Sequence, residues 1–462
     1  LFAPHCASPA MLRNVMQTLK FAVLVHLVEC LPCARSGKLI MEVCYSREPV
    51  GNIIFRAGCN YAAQNTTAGV VDITMRELRR DVCIAKCDST NLWMTIFAGN
   101  TGNDITYLVN DAQTINLVNG AWTEITTSGT APPRSQQHTA IHWSDAHSGP
   151  QMTIFGGTIF APEPPYPYTN EVHTLVLATG NWAKVTTSGS EPSARQEHSA
   201  IYWSDATIPQ MTIFGGKKGN PLAYQPTDFL NDVHTLNLAT GAWSVVTTSG
   251  TTPMRRNSHS AIHWREQSGV PQNVDFMTIF AGYGADFATQ TFKLLNDVYT
   301  LNLATGAWTE VTTFGAPPDL RRLHSAIQWS DASGVPQMTI YAGEDGETRL
   351  NDVHTLNLAT NVWTTVSASG IVMKARSGHS AIHAIDSFGT PLMVIFGGSN
   401  NIYYNDVHTL NLATNAWIQI TTTGTAPPAR YYHSAIYYTD VSGICAAGCN
   451  MYHTLALNNS FC

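Results

Sequence analysis

The stretch NDVYTLNLATGAWTEVTT, residues 296–313, decides the fold because the chain repeats it. Close copies start at five other asparagines: Asn110, Asn170, Asn231, Asn351 and Asn405. Each copy carries one tryptophan, and the six are Trp122, Trp182, Trp243, Trp308, Trp363 and Trp417. Subtraction of their numbers gives spacings of 60, 61, 65, 55 and 54 residues. Self-similarity at this period indicates a repeat architecture rather than a series of unrelated domains.

One repeat unit, read from Arg321, contains four short β-strands. Its apolar runs are 324–329, 338–343, 353–358 and 363–366, separated by Gly, Pro, Asn, Asp and Ser. Bounded runs of this kind are typical of antiparallel meanders, and no helical period persists in the repeats. Four-stranded units repeated around an axis form a β-propeller, in which ring closure removes exposed sheet edges.

Several motifs of the unit resemble the kelch-repeat family of propellers. The second strand ends in a glycine pair at Gly156-Gly157, Gly215-Gly216 and Gly397-Gly398. In other units Ala98, Ala281 and Ala342 replace the first glycine. An Asn-Asp-Val sequence precedes the third strand, the tryptophan lies in the fourth, and an arginine precedes the histidine of the first. The resemblance implies an all-β, kelch-type β-propeller of four-stranded antiparallel blades.

The first strand, which carries the histidine, sets the number of blades. It occurs at His138, His198, His259, His324, His379 and His433, with a degenerate copy at 82–87. This count predicts seven blades. The last unit stops before its tryptophan strand, and the resemblance implies that a strand from the N-terminal region closes the ring. The candidate is 70–74, so we expect the propeller at residues 69–462.

Composition suits β-structure and argues against one class of partner. Hydrophobic residues make up 44% of the 462-residue chain, which is enough for a large core. Charged residues make up only 12%, and the net charge is −7. Nucleic-acid-binding proteins carry a basic face, so we expect no nucleic-acid partner. No apolar segment is long enough for a bilayer, so we expect no membrane span.

The N-terminal residues have the pattern of a secretory signal peptide. A basic stretch from Met11 to Lys20 precedes the apolar run 21–28, and small and turn residues follow. We therefore interpret 1–36 as a leader and expect a secreted or extracellular protein. A disordered leader or a buried strand is the alternative. Residues 37–68 are uncertain, and the echo between 53–60 and 446–450 suggests a decayed half-repeat.

All ten cysteines lie before residue 88 or after residue 444. Cys83 and Cys87, in the degenerate first unit, match Cys445 and Cys449 in the last unit. This placement predicts disulfide bonds across the joint of the ring, which would stabilise the ring by constraining the open chain. Four zinc ligands or unrelated free thiols are the alternatives.

Repeated histidines and arginines each allow a functional and a structural interpretation. Besides the first-strand histidines, two further columns recur: His142, His263 and His383, then His173, His234, His354, His408 and His453. Recurrence in every blade favours hydrogen bonding between blades over a metal site. The arginines are Arg79, Arg195, Arg256, Arg321, Arg376 and Arg430, with Arg134 displaced by one. One interpretation is that they bind anions at one mouth of the channel. The other, which we favour, is that they pair with the repeated aspartate or with backbone carbonyls.

The loops between the second and third strands differ most among blades. Those of blades two, three and four are the longest and span 158–169, 217–230 and 283–295. Because strands alternate in direction, these loops share one face with the inter-blade segments, and aromatic and arginine side chains often anchor interfaces. The candidates on this binding face are Phe160, Tyr166, Tyr168, Lys217, Lys218, Tyr224, Phe229, Arg255, Arg256, Tyr283, Phe287, Phe292, Arg321 and Arg322. Packing of the aromatics within their own loops is the alternative.

The sequence favours a binding module over an enzyme. No Ser/His/Asp constellation or phosphate-binding glycine loop stands out, and no catalytic residue, metal ligand or cofactor is predicted. The leading hypothesis is a non-enzymatic protein-binding scaffold, and carbohydrate binding by the loop aromatics is the second. A metal-dependent enzyme is the third. The Tyr–Cys cross-link of copper radical oxidases of the galactose oxidase type would need a cysteine between residues 88 and 444, where there is none.

Overall fold

The computed structural model describes residues 91–145, 147–163, 166–205, 208–219, 225–266 and 274–440. It also describes the backbone of an antiparallel strand pair, Val43–Arg47 and Ile53–Ala57, in a separate unit. The predicted leader, the four candidate disulfide cysteines and the segments 70–74 and 82–87 lie outside the described residues.

Residues 91–440 form blades of antiparallel strands, ordered in each blade from an inner first strand to an outer fourth strand. Blade 1 contains Ser434–Asp440, Asn91–Asn100, Leu108–Asn116 and Ala121–Glu124; blade 2 contains Thr139–Asp145, Gly149–Phe155, Val172–Val176 and Asn181–Lys184; blade 3 contains Ser199–Asp205, Ile208–Phe214, Val233–Asn237 and Ala242–Val245. Blade 4 contains Ser260–Glu266, Val274–Asp286, Thr291–Asn302 and Ala307–Glu310; blade 5 contains Ser325–Ser330, Pro336–Glu344, Arg349–Asn357 and Val362–Thr365; blade 6 contains Ser380–Ile385, Pro391–Phe396, Val407–Asn411 and Ala416–Gln419.

A fifth strand of two residues extends the outer edge of every blade, where the sequence predicts only four strands. It runs parallel to the fourth strand and comes from the segment that leaves the preceding blade. These strands are Ser128–Gly129, Ser188–Gly189, Ser249–Gly250, Phe314–Gly315, Ser369–Gly370 and Thr423–Gly424. The glycine is required because a Cβ on Gly129, whose φ is +75°, would lie 2.2 Å from the carbonyl oxygen of Trp182.

The remaining elements are short and lie near the starts of the inner strands. They are the 3₁₀-helices Ile105–Tyr107 and Pro226–Asp228 and the strands Ser135–Gln136, Thr158–Ile159 and Arg255–Asn257. In blade 4 the predicted loop 283–295 is mostly a continuation of the second and third strands. The rings of Tyr283 and Phe292 stack across this hairpin with centroids 5.8 Å apart, which explains the added pairing.

The ring contains six blades, so the prediction of seven is wrong. Ser434–Asp440 does not open a seventh blade but pairs with Asn91–Asn100 as the inner strand of blade 1. It also contacts the inner strands of blades 2 and 6, which closes the ring within residues 91–440. The closing strand therefore comes from the C-terminal side, because its Ser-Ala-Ile pattern is that of an inner strand and Asn91–Asn100 offers the free edge.

The six tryptophans of the repeat are buried between blades, which confirms their predicted structural role. Their exposed fractions are 1% to 4%. Each ring packs on the aromatic residue directly before the Gly-Gly or Ala-Gly pair of the preceding blade, with centroids 4.9 to 5.2 Å apart. Trp122 packs on Phe396 and so makes the same contact across the joint of the ring.

Truncation of one such ring should be costly. We expect Trp363→Ala to lower the free energy of unfolding by about 3–5 kcal/mol, because it leaves a cavity between blades 4 and 5. Its neighbour Val362 is 38% exposed, so Val362→Ala should cost less than about 1 kcal/mol. Urea unfolding of the two variants measures the difference, and equal losses of unfolding free energy would contradict the packing of Trp363 between blades.

Candidate functional site

Six residues at the starts of the inner strands form a closed ring of backbone hydrogen bonds. The amide of each residue donates to the carbonyl of the equivalent residue in the preceding blade, over 2.8 to 3.1 Å. We call these residues the hub ring: Gln137, Glu197, Ser258, Leu323, Gly378 and Tyr432. The hub ring is the place where all six blades meet through one continuous set of bonds.

The hub ring holds its backbone in the left-handed region. The φ values of its six members lie between +54° and +64°, although only one of them is a glycine. For a non-glycine residue this conformation costs roughly 1–2 kcal/mol. The cyclic hydrogen bonds hold the strained backbone in place, so the Cα positions that carry the side chains of this ring are fixed.

Glu197 is the acidic centre of one side of the hub ring. Its carboxylate accepts hydrogen bonds from Gln137 in blade 2 and from Asn257 Nδ2, at 2.6 Å, in blade 4. Burial raises the pKa of Glu197, while hydrogen bonding from Ser258 and the charges of Arg322 and Lys217 oppose the increase. The carboxylate therefore links three blades.

Glu344 lies beside Glu197 and gathers two arginines. Arg322 Nε donates to Glu344 Oε1 over 2.7 Å, and Arg349 Nη1 lies 2.9 Å from Oε2. The guanidinium of Arg322 also lies over the Tyr283 ring, 5.0 Å from its centroid. Two carboxylates, two guanidiniums and an aromatic ring thus meet in one network, in which the Glu344 side chain is buried and the Arg322 and Arg349 side chains stay 32% and 34% exposed.

A cluster of tyrosines forms the opposite side of the hub ring. Tyr403 stacks on Tyr431 with centroids 5.1 Å apart, and Tyr431 contacts Tyr432 at 4.3 Å. The hydroxyl of Tyr403 also donates to Asn103. Burial raises the pKa of Tyr431 to about 12, so its hydroxyl stays a proton donor at neutral pH. We refer to the hub ring with Asn257, Arg322, Glu344, Tyr403 and Tyr431 as the hub site.

Several predicted binding-face residues are buried. Arg256, Arg321 and Phe229 have no exposed surface, and Lys217 has 1%. Phe229 packs on Tyr283 and Phe292, with centroids 6.1 and 5.4 Å apart. Tyr283 and Phe292 thus pack within their own loop, as the alternative expects, whereas Phe229 packs on the loop of the next blade.

Other predicted residues keep solvent-accessible surface. Phe287 is 58% exposed at the tip of the blade 4 hairpin, and Lys218 is exposed in blade 3. Arg322 belongs to the hub site, while Arg255 donates to the carbonyl of Phe229 over 3.1 Å. Phe160, Tyr166 and Tyr168 are partly exposed in blade 2, and Tyr224 lies outside the described residues.

The arginine column pairs with the repeated aspartate, as we favoured, in arrangements that we call clamps. In five blades the guanidinium is fully buried and makes two hydrogen bonds to the repeated aspartate, over 2.6 to 2.9 Å. The pairs are Arg195–Asp232, Arg256–Asp297, Arg321–Asp352, Arg376–Asp406 and Arg430–Asp111. Burial alone would raise the pKa of Asp232, but hydrogen bonds from Arg195 and His234 hold it well below its usual range.

The first-strand histidines join neighbouring blades. Nε2 of each ring lies 2.7 to 2.8 Å from a Ser or Thr hydroxyl at the start of the preceding inner strand. Burial lowers the pKa of His138 and His379 to about 3 and holds the pKa of His198, His259 and the others well below 6.5. These histidines are neutral structural groups, as the recurrence predicts.

The other two histidine columns are also engaged locally. His173, His234, His354 and His408 each bond the acidic residue two positions earlier, over 2.8 to 3.1 Å. His263 bonds Asp275 at 2.7 Å, and His142 stacks on Tyr438. In the described part of the chain, no group of three or more His, Cys, Asp or Glu residues is placed to hold a metal ion.

A family model described as the KLHDC2/KLHL20/DRC7 Kelch-repeats domain matches residues 73–270 and 266–446. The chain belongs to the kelch-repeat family. Within the described part of this kelch chain, no helix has the length and apolar character to cross a membrane.

Curated relatives share the repeats at modest identity. Acyl-CoA-binding domain-containing protein 4 of Arabidopsis thaliana is 27% identical over 278 residues, which cover 58% of this kelch chain and 37% of that protein. Host cell factor 2 of Homo sapiens is 28% identical over 325 residues, with coverage of 63% and 36%. Kelch domain-containing protein 2 of Bos taurus is 25% identical over 308 residues, with coverage of 61% and 69%. The chain thus spans less than half the length of the first two relatives.

Sequence reasoning missed most of the hub site of this kelch propeller. Glu197, Glu344, Tyr403, Tyr431 and Tyr432 were not candidates, because their loops are short or repetitive. One signal was available: the residue before each first-strand histidine is Gln, Glu, Ser, Leu, Gly or Tyr in different blades. Variation at one position inside an otherwise constant motif marks a site that the scaffold does not constrain.

The buried histidines make stability depend on pH. The folded state keeps them neutral, while an unfolded chain protonates them near pH 6.5, so unfolding takes up protons below about pH 6.5. We expect the melting temperature to fall steeply from about pH 6.5 towards pH 5, with an uptake above the six protons of the first-strand histidines, because burial also lowers the pKa of His142 to about 4. The slope of the melting temperature against pH, combined with the calorimetric enthalpy of unfolding, gives the number of protons taken up.

His379→Gln should reduce the proton uptake by about one. The low pKa of the clamp aspartates acts only below about pH 4, so it does not enter this window. A melting temperature that stays constant between about pH 7 and pH 5 would show that these histidines are not held neutral.

Loss of one clamp arginine should leave a half-buried carboxylate and two backbone carbonyls without their donor. We expect Arg321→Leu to lower the free energy of unfolding by about 3–5 kcal/mol through the uncompensated Asp352. Arg134, displaced by one residue, is exposed and lies 6.0 Å from the Phe160 ring centroid. Arg134→Leu should therefore cost less than about 1 kcal/mol, and similar losses in urea unfolding would refute the clamp.

Proposed function

We propose that this kelch propeller is a non-enzymatic protein-binding scaffold whose partner contacts the hub site. The hub ring carries the proposal, because five of its six members are non-glycine residues in a left-handed backbone. Strain of this kind persists only where surrounding bonds hold it, and it clusters at ligand-binding sites. Here the backbone bonds of all six blades supply that support.

The side chains of the hub site suit a peptide segment with both polar and apolar groups. Arg322 and Glu344 present charges whose positions are fixed by their mutual bond. Tyr403 and Tyr431 present ring faces and hydroxyls on the opposite side. Rigid tyrosine and arginine side chains lose little conformational entropy on binding, which is why they are frequent interface anchors.

The long loops of blades two, three and four flank the hub site in this proposal. Phe287 and Lys218 are the predicted binding-face residues with the most open surroundings. They lie in loops that follow second strands, and second strands end on the side where inner strands begin. A partner that enters the hub site would extend over these loops.

A second candidate function is carbohydrate binding. The stacked pair Tyr403 and Tyr431, with the amide of Asn103 bonded to Tyr403, is the observation that favours it. Aromatic faces pack on the apolar faces of sugars, and amides bond their hydroxyls.

We also propose that the chain is secreted and that disulfides among Cys83, Cys87, Cys445 and Cys449 join the ends of residues 69–462. The support is the leader pattern in residues 1–36 and the matched spacing of the two cysteine pairs. Peptide mapping under non-reducing conditions tests the disulfides, and four free thiols would overturn that part.

Selection from a phage-displayed random peptide library on the full chain tests the protein-binding proposal. We expect enriched peptides whose affinity falls roughly thirtyfold, or about 2 kcal/mol, in Arg322→Gln and in Tyr431→Ala. Phe388 is 92% exposed in the turn after the inner strand of blade 6, at the end far from the hub ring. Phe388→Ala is therefore the matched control and should bind as the wild type does.

The outcomes separate the two candidates. The hub site is not the binding site if the peptides bind Arg322→Gln, Tyr431→Ala and the wild type equally while all three proteins have the same melting temperature. Binding on a glycan array that is lost in Tyr403→Ala, without any enriched peptide, would support carbohydrate binding and overturn the protein-binding proposal.

A further inference from the structure

Five blades hold a guanidinium in the same set of acceptors. In blade 3, Arg195 Nη1 donates to Asp232 Oδ1 at 2.7 Å and to the carbonyl of Gly215 at 3.0 Å. Its Nε donates to the carbonyl of Ser193, two residues earlier in the chain, at 3.0 Å. The other four clamps repeat these bonds with the equivalent residues. The site is thus built from one carboxylate and two backbone carbonyls.

Blade 2 has the same acceptors and lacks the arginine. Ser135 occupies the clamp position, three residues before His138, and the neighbouring Arg134 is exposed. The counterparts of the three acceptors are Glu171, Gly156 and Pro133. All three line a cavity that remains in blade 2, together with Ser135 and His173.

The interior of this cavity contains an unsatisfied polar group. Ser135 is only 3% exposed, and its Oγ has no hydrogen-bond partner among the described residues. A buried hydroxyl without a partner costs roughly 1–3 kcal/mol, so a donor that enters the cavity gains a ready acceptor. The cavity is small, with room for about one water-sized group, so a guanidinium requires the Glu171 side chain to shift aside while its carboxylate stays within hydrogen-bond reach.

Glu171 is able to make that movement and carries the required charge. Its side chain is 35% exposed, and it bonds Lys184, which is 51% exposed, and His173 Nε2 at 2.9 Å. Hydrogen bonds from Lys184 and His173 hold the pKa of Glu171 below its usual value, so it is ionised at neutral pH. In blade 2 the positive charge beside the carboxylate comes from Lys184 on the solvent side. In the other five blades it comes from the buried arginine.

We infer that the blade 2 cavity is a binding site for a guanidinium group supplied by another molecule. The group would bond Glu171, the carbonyls of Gly156 and Pro133, and Ser135 Oγ, as the chain's own arginines bond their clamps. Its source is either the arginine side chain of a protein partner or a small guanidinium compound. The inference is independent of the proposed function, because the cavity lies in one blade and outside the hub site.

Thermal unfolding of the full chain with small ligands tests this site. N-acetyl-arginine N-methylamide represents a protein arginine, and methylguanidinium represents a free compound. The corresponding citrulline and lysine amides are matched controls that lack the charge or the planar fork. We expect a saturable rise in melting temperature with the arginine amide in the millimolar range, and none with the citrulline amide. A rise with methylguanidinium alone would assign the site to small compounds.

Three variants locate the effect. Ser135→Arg places the chain's own guanidinium in the cavity, so it should abolish the response to ligand. Glu171→Gln should also abolish it, while Ser135→Ala should keep most of it because the carboxylate and carbonyls remain. Three outcomes would each overturn the inference, even if Ser135→Arg fails to fold. They are a rise in melting temperature that survives in Glu171→Gln, an equal rise with the citrulline amide, and no arginine-specific rise in the wild type.

Discussion

The pairing of Ser434–Asp440 with Asn91–Asn100 is the constraint on which the propeller depends. It converts a linear array of repeats into a ring and leaves no unpaired inner edge. Contacts that recur inside the array also recur across this joint, where Trp122 packs on Phe396 and Arg430 clamps Asp111. The hub ring exists only because the joint is closed, since its last bond joins Gln137 to Tyr432.

The repeated polar residues serve the scaffold, because the arginine clamps join segments of one blade and the first-strand histidines join neighbouring blades, and this leaves few of them for recognition. Arginine clamps, first-strand histidines and their Ser or Thr partners are buried in nearly every blade. Buried guanidiniums and imidazoles of this kind fix one arrangement of neighbouring strands, because any other arrangement leaves a charge or a donor unsatisfied. The two binding sites that we propose both lie where the repeat is broken: in the hub ring, where one position varies, and in blade 2, where a clamp is missing.

Adjacent residues in the repeat lie in different environments, and the reason is the geometry of an extended chain. Arg321 is fully buried in its clamp, whereas Arg322 belongs to the hub site. In an extended segment, neighbouring side chains point to opposite sides, so a shift of one residue changes the environment completely. Arg134 shows the same effect, because its displacement by one position moves it from the clamp to the surface.

The sequence by itself determined the repeat, the four antiparallel strands of each blade and the buried tryptophans, and it favoured the pairing of the arginine column with the repeated aspartate or with carbonyls. These features depend on contacts within one unit or between adjacent units, and their residues recur together. Only the tertiary structure decided the number of blades, the origin of the closing strand and the composition of the hub site. The strand at 434–440 has the pattern of any inner strand, so its partner depends on where the ring closes. The hub ring joins residues that lie about one repeat or more apart in the chain, and such residues become neighbours only when all six blades surround a common axis.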